Sequence, residues 1–403
     1  MKITDLKSTK TETGKRVSAV LQWEDSDRPE QEIYVATDEP FAAHLRCNPH
    51  TFLTAAAIPA LRFGEQRIAI EAEIDPALLD GLRVIMRLLR GWYGRYGRYG
   101  TDYPLPQIES GIMAAPEPVT APPKAAFLMS GGIDSLATLR SNRLAFPLAH
   151  PRAFHTAVII KGLQPEVDDI FGELFASLLP LAAEAGVTLM PVRSNIRYIY
   201  DSWPFWADEF EAAVFSAIIH AFAPHISSLT IGTTYDEPYL HPHGSHPLVD
   251  HHYSSSDMTI IHDDITLSRL EKTVMLADWE LALHNMRVCN FPDNGDVLNC
   301  GRCEKCVRTM LALTTLSKLA ESRAFAADDI SSDLVETGVQ LNKTSYPFYP
   351  ELVRPLQQCG RYDLADAVQK KLRDYGLEKQ KRRLKRVSRQ PLTLFRKKVL
   401  HQM

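Results

Sequence analysis

Ala126-Phe127-Leu128-Met129-Ser130-Gly131-Gly132-Ile133-Asp134-Ser135-Leu136-Ala137-Thr138-Leu139 is the stretch that decides how this chain folds. An apolar run enters Ser-Gly-Gly-Ile-Asp-Ser and leaves it on an amphipathic helical pattern. Two glycines let the backbone turn tightly and approach a ligand with no Cβ in the way. A helix opening at Ser135 offers unpaired N–H groups and a positive dipole end, and the serine hydroxyls add donors. The stretch reads as a phosphate cradle between a strand and a helix. It is not a Walker A loop, because no Gly-Lys-Ser/Thr is present. The plainer alternative is a strand–turn–helix built on common turn residues.

Downstream, strand and helix patterns alternate. Residues 157–160, 188–192 and 229–232 read as strands, and 165–185 and 207–222 as helices. This order predicts an α/β fold with a doubly wound parallel sheet, Rossmann-like, with helices on both faces. Ligands of such sheets bind beyond the C-terminal strand ends. The loop 130–135, Gly162, Ser194 with Asn195, and residues 232–236 all fall there. Gly162, Ser194 and Asn195 are therefore further candidates for contacting nucleotide or substrate.

Upstream, residues 1–110 read as a small α+β domain. Residues 67–74 alternate with period two, and Asp75-Pro76 opens a helix over 77–92 with an aspartate cap. Trp92-Tyr93-Gly94-Arg95-Tyr96-Gly97-Arg98-Tyr99-Gly100 interleaves aromatics and arginines, which suits either a surface loop or base stacking. A proline-rich linker covers 111–124, and the nucleotide-binding α/β domain is expected over 125–285. A four-cysteine segment with a helix follows over 286–345, then a helical region with a basic tail over 346–403. Between Lys370 and Lys398 there are 13 Lys/Arg against 2 acids, leaving 32 against 47 elsewhere, so an acidic body carries a basic tail. That tail is open to RNA, anionic lipid or an acidic partner. No apolar run approaches the length of a membrane span and no signal core opens the chain, so a cytoplasmic protein is expected.

Cys289, Cys300, Cys303 and Cys306 have the spacing C-x10-C-x2-C-x2-C. Thiolates two residues apart can face one ion across a knuckle, with Gly301 at its turn. Four sulfurs fill a tetrahedral shell, which favours structural Zn2+. Lys305, Arg302 and Arg308 would offset thiolate charge. An iron–sulfur cluster is the main rival, and a catalytic cysteine pair a third reading.

The loop Ser130-Gly131-Gly132-Ile133-Asp134-Ser135 resembles the SGGxDS loop of the PP-loop ATP pyrophosphatases, the adenine nucleotide α-hydrolase-like (HUP) superfamily. Together with Cys300-Gly301-Arg302-Cys303-Glu304-Lys305-Cys306-Val307-Arg308 and the distal Cys289, it resembles the 7-cyano-7-deazaguanine synthase group. The resemblance covers about residues 124–315. It implies ATP and Mg2+ as cofactors, cleavage between the α- and β-phosphates, adenylation of a carboxylate, nitrogen transfer and a structural zinc site. It assigns Ser130, Gly131, Gly132, Ile133, Asp134 and Ser135 to phosphate, with Asp134 and Ser135 in catalysis. Residues 239–252 depart from the pattern of the queuosine enzymes, so another acceptor is expected.

Six of fourteen histidines lie between His241 and His262, with several aspartates among them. A metal site, a general base or a substrate-facing loop would each suit them. Arg269 and Lys272 are three apart and share a helix face. They suit either a solvated surface or stabilisation of departing pyrophosphate, and the resemblance places a phosphate-contacting base here. The expected activity is an AMP- and pyrophosphate-forming ligase or amidotransferase-like enzyme. The alternatives are an RNA- or tRNA-modifying adenylating enzyme and a non-catalytic nucleotide- and zinc-binding module.

Overall fold

Residues 1–112 begin with an antiparallel meander of β1 (Lys2–Lys10), β2 (Gly14–Gln22) and β3 (Gln31–Asp38). Helix α1 (Pro49–Phe63), β4 (Arg67–Ile74), helix α2 (Pro76–Tyr93) and β5 (Gln107–Ile112) follow. Helix α2 starts as the sequence demands: Asp75 accepts a hydrogen bond from Ala77 N and proline takes the first turn. Helix α1 is buried from His50 through Leu61, so it carries no polar stripe. This computed structural model describes residues 1–94, 105–114, 124–164, 170–289 and 299–388.

The parallel half comprises β6 (Lys124–Leu128), α3 (Ile133–Ala145), β7 (Phe154–Lys161), α4 (Phe171–Glu184) and β8 (Thr188–Ser194). It continues with a π-helical turn Trp206–Phe210, α5 (Glu211–His220), β9 (Ile226–Ile231) and β10 (Thr259–His262). All ten strands form one mostly parallel sheet in the order β10-β9-β6-β7-β8-β3-β2-β1-β4-β5. Successive residues of β6 and β7 are buried, which requires cover on both faces. Ala126, Val158, Ile160, Met190 and Val192 share one core with Val17, Leu21, Ile33, Val35, α1, α2 and α5. Helices α3 and α4 pack on the β6–β8 region.

Residues 1–110 do not stand apart as their own domain. Contacts place Met1–Pro292 in one compact unit and Asp293–Met403 in another. The reason lies at β8, whose outer edge β3 covers by the pairs Val35↔Ser194 and Ala36↔Arg193. Side chains reinforce that edge. Thr37 Oγ1 donates to Pro191 O at 2.6 Å, and Arg193 holds Asp38 through two bonds of 2.6 Å. Of the expected linker, Gly111 and Ile112 close β5 and Lys124 opens β6. Residues 115–123, like 95–100 of the aromatic–arginine run and 165–169 of the expected helix, lie outside the described residues.

The first unit continues with α6 (Arg269–Leu276) and α7 (Glu280–Asn285). The second holds α8 (Glu304–Thr315), α9 (Ser332–Gly338), α10 (Pro350–Gln358) and α11 (Tyr362–Ser388), with α10 packed against α8 and α11. Val307, Leu311, Leu352, Leu356, Leu364 and Val368 are buried here. No described helix is long and apolar enough to cross a membrane.

Candidate functional site

Strand β6 pairs in parallel with both β7 and β9. The chain leaves β6 towards β7 and β8 on one side, and β9 and β10 occupy the other. That reversal of strand order makes the C-terminal end of β6 the switch point where open α/β sheets hold ligands. The loop 130–135 sits there. Gly131 has φ +77°, a left-handed conformation that glycine adopts without strain. Ser130 N–H donates to Ser135 Oγ at 3.3 Å, Gly132 N–H to Ser130 Oγ at 3.3 Å, and Ser135 Oγ to Gly132 O at 3.0 Å. Gly132 caps α3 without a side-chain bond, so the first-turn N–H groups are left for another acceptor.

Asp134 joins the loop to α6. Arg269 Nη2 lies 2.8 Å from Asp134 Oδ2 and Lys272 Nζ 3.4 Å from Oδ1. A capping box opens this helix: Ser268 Oγ accepts from Glu271 N while the Glu271 carboxylate accepts from Ser268 N. It turns Lys272 inward, where the side chain is 4% exposed and donates to Thr233 O. Arg269 is 13% exposed, so the solvated-surface reading of this pair does not describe it. Thr233 Oγ1 donates to Asp263 O at 2.9 Å, and Thr138 Oγ1 donates to the Asp263 carboxylate. A Cβ at Gly232 would stand 3.2 Å from Thr138 Oγ1 and 3.4 Å from the Asp134 carbonyl carbon, so β9 approaches α3 closely.

The remaining loop candidates divide. Gly162 ends β7 with φ +105°, and a Cβ there would lie 1.8 Å from Ser194 O. Ser194 Oγ donates to Tyr34 O at 2.8 Å. Asn195 Oδ1 accepts from Tyr34 N and its Nδ2 donates to Glu32 O, each at 2.9 Å. These polar atoms of Ser194 and Asn195 thus serve the β3 junction.

The histidine-rich segment is fixed by the π-helical turn. Gly244 N–H donates to Ala207 O at 2.8 Å and Ala212 N–H to Gly244 O at 3.0 Å, using backbone groups that the turn leaves over. Asp250 is fully buried, accepting from Ser245 Oγ at 2.7 Å, His246 N at 2.8 Å and His262 Nδ1 at 2.8 Å. With Nδ1 donating to the carboxylate, His262 Nε2 is an acceptor. It is buried and has no hydrogen-bond partner among the described residues. His241 repeats the pattern: Nδ1 lies 2.9 Å from Tyr239 O, and Nε2 is buried without a hydrogen-bond partner among the described residues. Burial and then the neighbouring His262 lower the His246 pKa. His262 ends β10 beside Asp263, which bonds the loop helix, so the Asp250–His262 pair sits at the ligand-binding end of the sheet.

The sulfurs of Cys289, Cys300, Cys303 and Cys306 all lie within 4.8 Å of one another, and the thiols are free of disulfides. Cys303 and Cys306 are 3.5 Å apart, Cys300 and Cys306 3.8 Å. Gly301 makes the knuckle with φ +69°, and Cys303 N–H donates to Cys300 Sγ at 3.4 Å. Four converging sulfur donors, three of them buried, fit a tetrahedral metal ion. Arg308, expected to offset thiolate charge, lies 3.3 Å from Glu304 and over the Phe348 ring. Among the described residues, no histidine or carboxylate group converges in this way.

Of Thr138, Thr233, Asp263 and Arg287, sequence reasoning names Thr233 within the strand-end loop 232–236 and Asp263 among several aspartates that could help hold magnesium, and gives Thr138 and Arg287 no role. The first three follow β9 or β10 or face them, a signal available once strand ends are known. No family model, curated protein or solved structure matches the chain.

Proposed function

We propose that this protein is an ATP-dependent, AMP- and pyrophosphate-forming enzyme that adenylates a carboxylate or carbonyl before nitrogen transfer. The observation that carries the reading is the convergence of Asp134, Arg269 and Lys272 on the Ser-Gly-Gly-Ile-Asp-Ser loop at the switch point of the sheet. The loop and the first turn of α3 supply N–H donors for the β- and γ-phosphates, as the PP-loop resemblance implies. Arg269 and Lys272 would stabilise charge that develops on departing pyrophosphate. Mg2+ characteristically takes one or two carboxylates with phosphate oxygens, and Asp134 and Asp263 are the acids beside the loop. The acceptor carboxylate attacks the α-phosphate, which turns its oxygen into the leaving group AMP. A nitrogen nucleophile then displaces AMP and must lose a proton. Asp250–His262 has the free imidazole nitrogen suited to receive it. The four cysteines hold Zn2+ in this reading, as a closed structural site.

The test is incubation with labelled ATP, ammonium and a small-molecule extract. AMP and pyrophosphate should form, and the Ser135→Ala, Asp134→Asn double variant should abolish both. Release of ADP would overturn the proposal, and nucleotide binding without turnover would favour a non-catalytic module. A second reading, an RNA acceptor, is favoured by α11, where Lys370 is 53% and Arg382 81% exposed. Salt-sensitive tRNA binding lost on deleting residues 377–403 would support it.

A further inference from the structure

Three arginines are buried among the described residues: Arg197, Arg287 and Arg308. Arg197 donates to Tyr200 O and stacks near Trp206, leaving its Nε alone without a hydrogen bond among the described residues, and Arg308 pairs with Glu304. Arg287 differs. It is 8% exposed, and its Nε and Nη2 are buried with no hydrogen-bond partner among the described residues. A guanidinium stays charged in proteins, and Cys289 offsets its burial only in part, so the two nitrogens left without a hydrogen bond are costly. The backbone of Arg287 fixes its place. Its N–H donates to Gly131 O at 2.8 Å. A Cβ on Gly131 would stand 3.6 Å from Arg287 Cβ, and one on Gly132 3.5 Å from Arg287 O. The two glycines that shape the loop thus pack on Arg287.

We propose that Arg287 is an anion ligand of the Ser130–Ser135 loop, its guanidinium taking oxygens of a pyrophosphoryl group that the loop N–H groups also bind. Two features point to the same ligand independently: the uncapped start of the 13-residue helix α3 and, on the residue whose backbone packs against it, the buried Nε and Nη2 of Arg287 that have no hydrogen-bond partner among the described residues. The planar fork of arginine suits two phosphate oxygens at once, which a lysine cannot match. The inference deepens the adenylation reading by naming a residue for the pyrophosphate end, and it rests on that reading only for the identity of the nucleotide.

The experiment is calorimetric titration of the full chain with inorganic pyrophosphate, with bound metal measured in parallel. Arg287→Met should weaken binding about tenfold to a hundredfold with metal content unchanged, and Arg287→Lys should fall between. Wild-type affinity in Arg287→Met overturns the assignment. So does loss of metal with pyrophosphate affinity retained, which would make the guanidinium a counter-charge for Cys289. Should the methionine variant fail to fold, the unmutated chain decides by NMR. The Arg287 Nε–H resonance, identified by its absence from the lysine variant, should shift on adding pyrophosphate, and an unmoved resonance refutes the proposal. Pyrophosphate binding through Arg287 without AMP formation would sink adenylation and leave this site standing. AMP formation with Arg287→Met binding normally would do the reverse.

Discussion

Lys272→Met isolates the buried cation beneath the loop. The thioether chain keeps most of the lysine stem's volume, so packing changes little. The loss is the ammonium, which donates to Thr233 O and lies 3.4 Å from Asp134. A charge-assisted hydrogen bond contributes about 1.5–3 kcal/mol. Asp134 keeps Arg269 at 2.8 Å, so its own loss is small. We expect a net cost of about 2 kcal/mol. At roughly 2.1 cal/mol/K per residue, the 292-residue unit has an unfolding entropy of about 0.6 kcal/mol/K. The variant should therefore melt about 3 °C below wild type. Ligand at a hundredfold excess over Kd stabilises by about 2.7 kcal/mol, or roughly 4 °C to 5 °C here. A tenfold loss of affinity cuts this to about 1.4 kcal/mol, or roughly 2 °C. Scanning calorimetry with and without ATP reads both shifts. A variant that melts lower yet keeps the full ATP shift refutes the phosphate role. Melting identical to wild type refutes the structural account too.

Gly162→Ala combines a left-handed φ with a Cβ 1.8 Å from Ser194 O. It should cost about 4 kcal/mol, roughly 7 °C of Tm, and an unchanged Tm would contradict the close packing of β7 on β8. Cys306→Ser should reduce bound zinc from one per chain, measured by plasma mass spectrometry, whereas Cys359→Ser at an exposed thiol should not. Asp250→Asn and His262→Gln should leave pyrophosphate binding intact while slowing nitrogen transfer by about 10²–10⁴, measured as AMP release with ammonium; equal rates would exclude the pair from proton transfer. Burial first, then neighbouring imidazoles, holds His220 and His225 down to about 4, against 6.5 for a free imidazole. Between those values the unfolded chain binds more protons, so stability falls as pH drops from 6.5 towards 4. Denaturant titrations should show this decline, and His225→Gln should flatten it. Glu24, held near 2 chiefly by Arg67, adds a loss only below about 4.5.

Features written in consecutive residues were legible. The Ser130–Ser135 turn, the Asp75-Pro76 helix start and the cysteine knuckle each need only local chemistry. The Arg269–Lys272 spacing placed two cations on one face, but not the burial that aims them at Asp134, 135 and 138 residues away. Helix α1 carried no periodic signal because its central residues are buried on every side. The joining of residues 1–110 to the larger sheet depends on β3 meeting β8, a choice made by edge geometry rather than by either strand's pattern. Arg287 and Asp250–His262 acquire meaning only from what surrounds them in space.

The β3–β8 junction bears on synthesis. Ala36 must wait for Arg193, 157 residues later, before its strand edge is covered. At roughly 5–20 residues per second, a ribosome spends about 10–30 s making that interval. Throughout it the nascent meander has an open edge able to recruit another chain. The same pairing that joins the sheet thus leaves a window in which a chaperone near the exit tunnel would protect the chain from aggregation.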